Sequence, residues 1–100
     1  MRFALLALIA AIAASPALAE TVAGTATLAA PAAQTKIVGE GGVWRCSGTT
    51  CTGPADTRAR LAVAACSAVA DANGRVVAFS AGGTEFAAAE LARCNRHVKS

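Results

Sequence analysis

A chain of 100 residues has room for one small domain, and its four cysteines form an even set with none left over. Its net charge of +3 comes from nine scattered basic residues against six acidic ones; no dense basic patch with stacking aromatics is present, which excludes a nucleic-acid footprint. The hydrophobic content of 55% is inflated by alanine, which adds little area to a core, so a domain this small needs covalent staples.

Residues 1–19, MRFALLALIAAIAASPALA, read as a cleavable signal peptide. Arg2 supplies the positive start, Phe3 to Ala14 the apolar stretch, and Ala17-Leu18-Ala19 a small-x-small cleavage site. The apolar run is too short to span about 30 Å of hydrocarbon comfortably. Cleavage is expected between Ala19 and Glu20, and no cysteine follows Ala19 to carry a lipid. The mature chain, Glu20 to Ser100, is expected to be exported, periplasmic or secreted, without stable membrane insertion. Loss of Arg2 lowers its net charge from +3 to +2.

Residues 20–33 are rich in Thr and Ala. They fit a flexible mature N-terminus or an initial edge strand, with partial order expected around Val22 to Leu28. A small domain is expected over residues 34–100. Gln34 to Gly39 alternates in strand fashion, and Glu40-Gly41-Gly42 makes a turn, because adjacent glycines tolerate positive φ. Val43 to Cys46 resumes as a strand with Trp44 and Cys46 on one face. Ser47 to Thr50 turn the chain back, and Cys51 opens a short return strand that Gly53-Pro54 is expected to stop.

The period becomes helical from Asp56 to Ala72, with Leu61, Ala62, Ala65, Cys66 and Val69 on one stripe. Asp56 or Thr57 serves as N-cap, and Asn73-Gly74 ends the helix. Arg75 to Ala81 reads as a central strand, with Val77 and Phe79 on one face and Val76 and Ala78 on the other. Gly82-Gly83 and a Thr84 cap then lead into a second helix from Glu85 to about Asn95, where Glu85 sits near the positive end of the helix dipole. The order strand-strand-strand-helix-strand-helix predicts an α+β domain: a small, mainly antiparallel sheet with two helices on one face, stabilised by disulfides.

In an exported chain, Cys46, Cys51, Cys66 and Cys94 are expected to form two disulfides. Sequence alone permits three connectivities. Cys46–Cys51 with Cys66–Cys94 is favoured, since the first pair flanks a hairpin loop and the second joins two helices on the same sheet face. Redox catalysis would call for C-x-x-C at a helix N-terminus, where the dipole lowers a thiol pKa; C-x(4)-C in a hairpin lacks that arrangement. Cys94 and His97 have a C-x-x-H spacing, but a structural zinc site needs four convergent ligands, and paired cysteines offer no thiolates. No metal site or cofactor is expected, and His97 reads as an exposed tail residue.

Hydrolytic chemistry finds no better support. Ser47, Ser67 and Ser80 lie in neither G-x-S-x-G nor S-x-x-K. Glu40, Asp56, Asp71, Glu85 and Glu90 have no spacing that marks a paired-carboxylate cleft. Gly82-Gly83 before a helix N-terminus has the makings of an anion site, but a plain loop and cap explains it better. No catalytic residue is therefore named.

The pattern Trp44-Arg45-Cys46-Ser47-Gly48-Thr49-Thr50-Cys51, a helical Cys66, Gly74 to Phe79, and Glu90 to Cys94-Asn95 resembles a family of small exported bacterial proteins of uncharacterised function. These share a W-x-C-x-G-x-x-C hairpin, a central cysteine and a terminal C-N. The resemblance spans roughly Ala26 to Asn95 and implies the same four-cysteine framework with no known activity. The expected function is a non-enzymatic binding or cell-envelope accessory module with an unidentified envelope or extracellular partner. Its binding patch is expected near Gly39 to Gly42 or Gly82 to Thr84. A periplasmic enzyme inhibitor or small envelope enzyme is the alternative, and a thiol-redox protein ranks behind both. Intact mass of secreted material should show a chain starting at Glu20 with no thiol open to alkylation before reduction and four after it; four before reduction would overturn the disulfide expectation.

Overall fold

The computed structural model describes residues 21–39 and 41–98. The expected signal peptide, residues 1–19, and its cleavage point at Ala19 and Glu20 lie outside the described residues, as does Glu40 of the expected turn. Alternation of period two builds the sheet: β1 Thr21–Leu28, β2 Lys36–Gly39, β3 Gly42–Ser47, β4 Thr50–Asp56, β5 Val76–Ala81 and the two-residue β6 Thr84–Glu85. Two helices, α1 Ala59–Asn73 and α2 Ala88–Cys94, complete it. The strand order is β2-β3-β4-β1-β5-β6, with every neighbour antiparallel. Helices pack on one face only, which is the expected α+β architecture with both favoured disulfides, Cys46–Cys51 and Cys66–Cys94.

The N-terminal strand lies mid-sheet, between β4 and β5, rather than at an edge. Its inward positions are small: Gly24 and Ala26 are buried, while Thr25 and Thr27 point to the bare face opposite Thr52 and Thr50. Small side chains let β1 run beneath the large aromatic groups that cover the sheet. Residues 21–28 are therefore part of the domain, which does not begin at residue 34.

Gly53-Pro54 does not stop β4, which runs on to Asp56. Cys46 and Cys51 are directly opposed with Cα atoms 3.9 Å apart, the close spacing of a non-hydrogen-bonded pair. Hydrogen-bonded pairs must then be Arg45–Thr52 and, one step on, Val43–Pro54. Proline has no N–H to give there, and the β3–β4 ladder ends at Arg45–Thr52. On its other side Pro54 faces Ala23 of β1 at a non-hydrogen-bonded position, so that ladder loses nothing.

The Trp44 indole closes the gap where the two strands part. Its Nε1–H donates to the Pro54 carbonyl at 3.0 Å, and only 2% of the residue is exposed. The ring lies flat across Gly53 and its cross-strand partner Gly24. A Cβ built on Gly53 would stand 2.4 Å from the indole Cγ, and one on Gly24 would stand 2.8 Å from Cη2. Phe79 stacks on Trp44 at 5.7 Å between ring centres, and Phe86 packs on Phe79 at 4.6 Å.

Strand β5 departs from simple alternation. The β1–β5 register shifts between Thr27 and Leu28, so Val76 and Phe79 both face the core while Val77 is 48% exposed. A bulge of one residue reverses the expected facing of Val76 and Val77. Gly82 and Gly83, at φ 59° and 88°, turn the β5–β6 hairpin instead of opening a helix. Helix α2 therefore starts at Ala88, and Glu85 sits on β6 opposite Ser80, away from any helix dipole.

Helix α1 starts at Ala59 because β4 consumes the chain to Asp56. It buries Ala62, Cys66, Val69 and Ala70, leaving Leu61 42% exposed at its first turn. Gly74, at φ 96°, ends α1 with its N–H on the Ala70 carbonyl. Two asparagines tie loops to these elements. Asn73 receives the N–H groups of Ala33 and Gln34, and Asn95 exchanges two bonds with the Val76 backbone. In the chain-entropy account Cys46–Cys51 contributes about 2 kcal/mol and Cys66–Cys94 about 3.5 kcal/mol. Gly53→Ala should destabilise the oxidised protein by about 1–3 kcal/mol through overpacking against the indole. Thr52→Val, on the bare face, should change stability by less than about 0.5 kcal/mol; urea unfolding followed by tryptophan fluorescence measures both.

Candidate functional site

An open groove of about 880 Å³ lies beside the end of the β3–β4 ladder, between the β2–β3 hairpin, the end of β4 and the flank of α1 from Leu61 to Asp71. Trp44, Pro54 and Ala55 form its floor; Val38, Gly39 and Gly42 form the hairpin wall. Leu61, Ala64, Ala65 and Ala68 form the helix wall. These alanines recur at helical spacing, and their short side chains keep the wall low. Gly42, at φ 141°, lies so close to the Pro54 ring that an added Cβ would stand 2.7 Å from Cγ. Of the four exposed large apolar side chains among the described residues, Val38, Val43 and Leu61 all belong to this end of the molecule.

Of the two patches expected from sequence, Gly39 to Gly42 thus borders the groove, through Gly39, Gly41 and Gly42. Gly82 to Thr84 forms a plain hairpin turn that the groove does not reach. Leu61, placed on the buried stripe by its spacing, belongs to the groove wall. The floor made by Trp44 and Pro54 and the wall made by Ala64 and Ala68 were missed, since only the ladder's end brings them together. One signal was present: a proline inside a strand pattern opposite a tryptophan-bearing strand marks a place where pairing fails.

The titratable residues do not converge. Asp56 and Asp71 both line the groove, but about 18 Å of helix rise separates Ala59, just after Asp56, from Asp71. That exceeds the roughly 5–9.5 Å over which paired carboxylates work on one bond. Asp56 is engaged by Arg58, whose Nε and Nη2 donate to its two carboxylate oxygens at 3.1 Å each. The Arg58 N–H also donates to it, at 2.8 Å. The side-chain bonds first, and then the backbone bond, hold the Asp56 carboxyl below its usual range. Asp56 thus braces the entry to α1 from two residues before its cap, Arg58.

The remaining candidates are dispersed. Glu85 is on β6, and the Glu90 carboxylate accepts the Ala87 N–H at 2.8 Å, anchoring the start of α2. His97 is exposed on the tail, with Nδ1 3.7 Å from Asp71 Oδ1. Ser67 donates to the Cys94 carbonyl at 3.1 Å, while Ser47 and Ser80 lie on β3 and β5. Cys94 is fully buried in its disulfide. Among the described residues no group of three or more His, Cys, Asp or Glu side chains is placed to hold a metal ion, and no cysteine is free. None of their helices is long and apolar enough to cross a membrane.

The profile of a family of unknown function, DUF8200, matches residues 6–96. No curated protein and no solved structure matches the chain.

Because its folded-state pKa is depressed, Asp56 contributes stability above its unfolded pKa and loses it as pH falls through the folded value. A carbon-detected carboxylate titration should find Asp56 below the ordinary aspartate value, and Arg58→Ala should return it towards that value.

Proposed function

We propose, for a chain that belongs to the DUF8200 family of unknown function, that the mature protein is an exported, non-enzymatic binding module of the bacterial cell envelope. It holds an apolar segment of its partner in the groove between α1 and the β2–β3 hairpin. The groove carries this reading. Its volume lies within the roughly 300–1,000 Å³ of ordinary ligand sites, and its walls are aliphatic with a tryptophan and a proline in the floor. Both carboxylates that border it sit towards its ends rather than facing a common point, an arrangement suited to holding rather than reacting.

Two disulfides support the extracytoplasmic part of the reading, because such bonds persist in oxidising compartments. They also explain how a thin core keeps an open groove. Cys66 anchors α1 to α2, so α1 keeps its place on the sheet while one flank of it, at Leu61, Ala64 and Ala68, stays free to border the groove. The signal-type start of the chain and the W-x-C-x-G-x-x-C hairpin point the same way.

A neutral apolar dye, N-phenyl-1-naphthylamine, tests the groove directly. Its fluorescence should rise on addition to the oxidised protein. Ala64→Phe, which puts a ring into the groove from an exposed helix position, should weaken that binding about tenfold or more, equivalent to about 1.4 kcal/mol. Thr52→Val on the opposite face should leave it unchanged. Equal binding by Ala64→Phe, or no binding by the native chain, would sink the reading.

A further inference from the structure

Strand β2 ends the sheet, and its outer edge continues the rim of the groove. The parity of its ladder shows which backbone groups are spare. Cys46 donates its N–H to the Thr35 carbonyl at 2.9 Å, so Thr35 and Ile37 turn their backbone groups towards β3. Lys36 and Val38 then turn theirs outward, where no strand follows. Val38 is 73% exposed, and Gly39 comes close to α1, with an added Cβ 3.6 Å from that of Ala68. An extended chain laid along this edge would find backbone partners on β2. Alternate side chains would turn into the groove against Leu61, Ala64 and Ala68, since strand side chains alternate.

Charge narrows the occupant. Within a chain of net charge +3, the described residues that line the groove include two carboxylates, Asp56 and Asp71, and no lysine or arginine. Asp56 is engaged by Arg58, whereas Asp71 has, among the described residues, the His97 imidazole at 3.7 Å and keeps half of its side chain exposed. A second copy of this chain suits the groove poorly. Its own β2 is four residues long, and its inward side chain, Ile37, is already buried in its own core.

We propose that β2 receives an extended apolar peptide segment of a partner protein as a seventh strand, with its inward side chains in the groove and a lysine or arginine beside Asp71. This is strand addition, in which main-chain bonds give affinity and alternate side-chain pockets give selectivity. The proposal rests on the groove reading above and adds the class of partner.

Three blocked octapeptides test it on the oxidised mature protein by dye displacement and amide chemical shifts. The first alternates valine with threonine and ends in two lysines; the second ends in two glutamates; the third is the lysine peptide N-methylated at alternate amides. The lysine peptide should displace the dye and shift the amides of Lys36 to Gly39. The glutamate peptide should bind about tenfold more weakly or worse, and the N-methylated one should not bind. Lys36→Pro removes an outward N–H away from the groove lining without touching the β2–β3 ladder; it should bind the dye and lose the peptide. Should that variant fail to fold, the N-methylated peptide makes the same distinction. Asp71→Lys should reverse the charge preference. Dye binding without peptide binding up to about 1 mM overturns strand addition and leaves the groove reading intact; failure of both probes overturns both. Equal binding of the two charged peptides overturns the charge assignment. A concentration-dependent dimer in sedimentation that Lys36→Pro abolishes overturns the partner in favour of a second copy.

Discussion

The Trp44 indole lying across Gly24 and Gly53 is the contact on which the rest of the molecule depends. A large flat ring can cross two strands only where both lack side chains, and the register places these two glycines opposite each other. The same ring supplies the one hydrogen bond that replaces a ladder step at Pro54. It also carries the stack through Phe79 to Phe86, joining the β3 end of the sheet to the segment before α2. Much of the apolar area of a thin core is thus concentrated in three aromatic residues, an efficient use of so few large side chains.

The disulfides secure what the aromatic stack leaves loose. Cys46–Cys51 closes the β3–β4 hairpin on the side where its ladder is intact, opposite the end where it has failed. Cys66–Cys94 fixes α1 to α2, beside the Ser67 bond to the Cys94 carbonyl. Helix α1 is consequently held at its middle and at its C-terminal end, where Asn73 grips residues 33 and 34. The groove opens along the flank of α1 that these ties leave free, where Leu61, Ala64 and Ala68 line it opposite the β2–β3 hairpin.

Much of this was legible in the residues. The two helices, the β3–β4 hairpin and the pairing of all four cysteines follow from period, turn residues and cysteine parity, which are local or nearly local signals. The errors share one cause. Gly53-Pro54 looked like a strand end and Thr84 like a helix cap, because each residue was weighed by intrinsic preference. Pro54 is tolerated since its missing N–H costs only the end of the β3–β4 ladder, where the Trp44 indole bonds the Pro54 carbonyl instead, and leaves the β1 pairing intact; Thr84 is claimed by pairing with Ala81 across a Gly82-Gly83 turn. Val76 and Val77 were assigned to the wrong faces, because one bulged residue inverts a period-two pattern and leaves no mark in composition.

The sequence by itself determined the class of this protein: one small α+β domain with four cysteines paired in two bonds, and elements whose type was readable from their own periodicity. That held because hydrophobic period, glycine turns and cysteine count act over short stretches of chain. Only the tertiary structure decided that β1 lies mid-sheet, that Trp44 rests on Gly24 and Gly53, and that Val38, Leu61 and Ala68 border one groove. Those arrangements join residues up to several tens of positions apart. They depend on register and on where a ladder stops, which no single segment encodes.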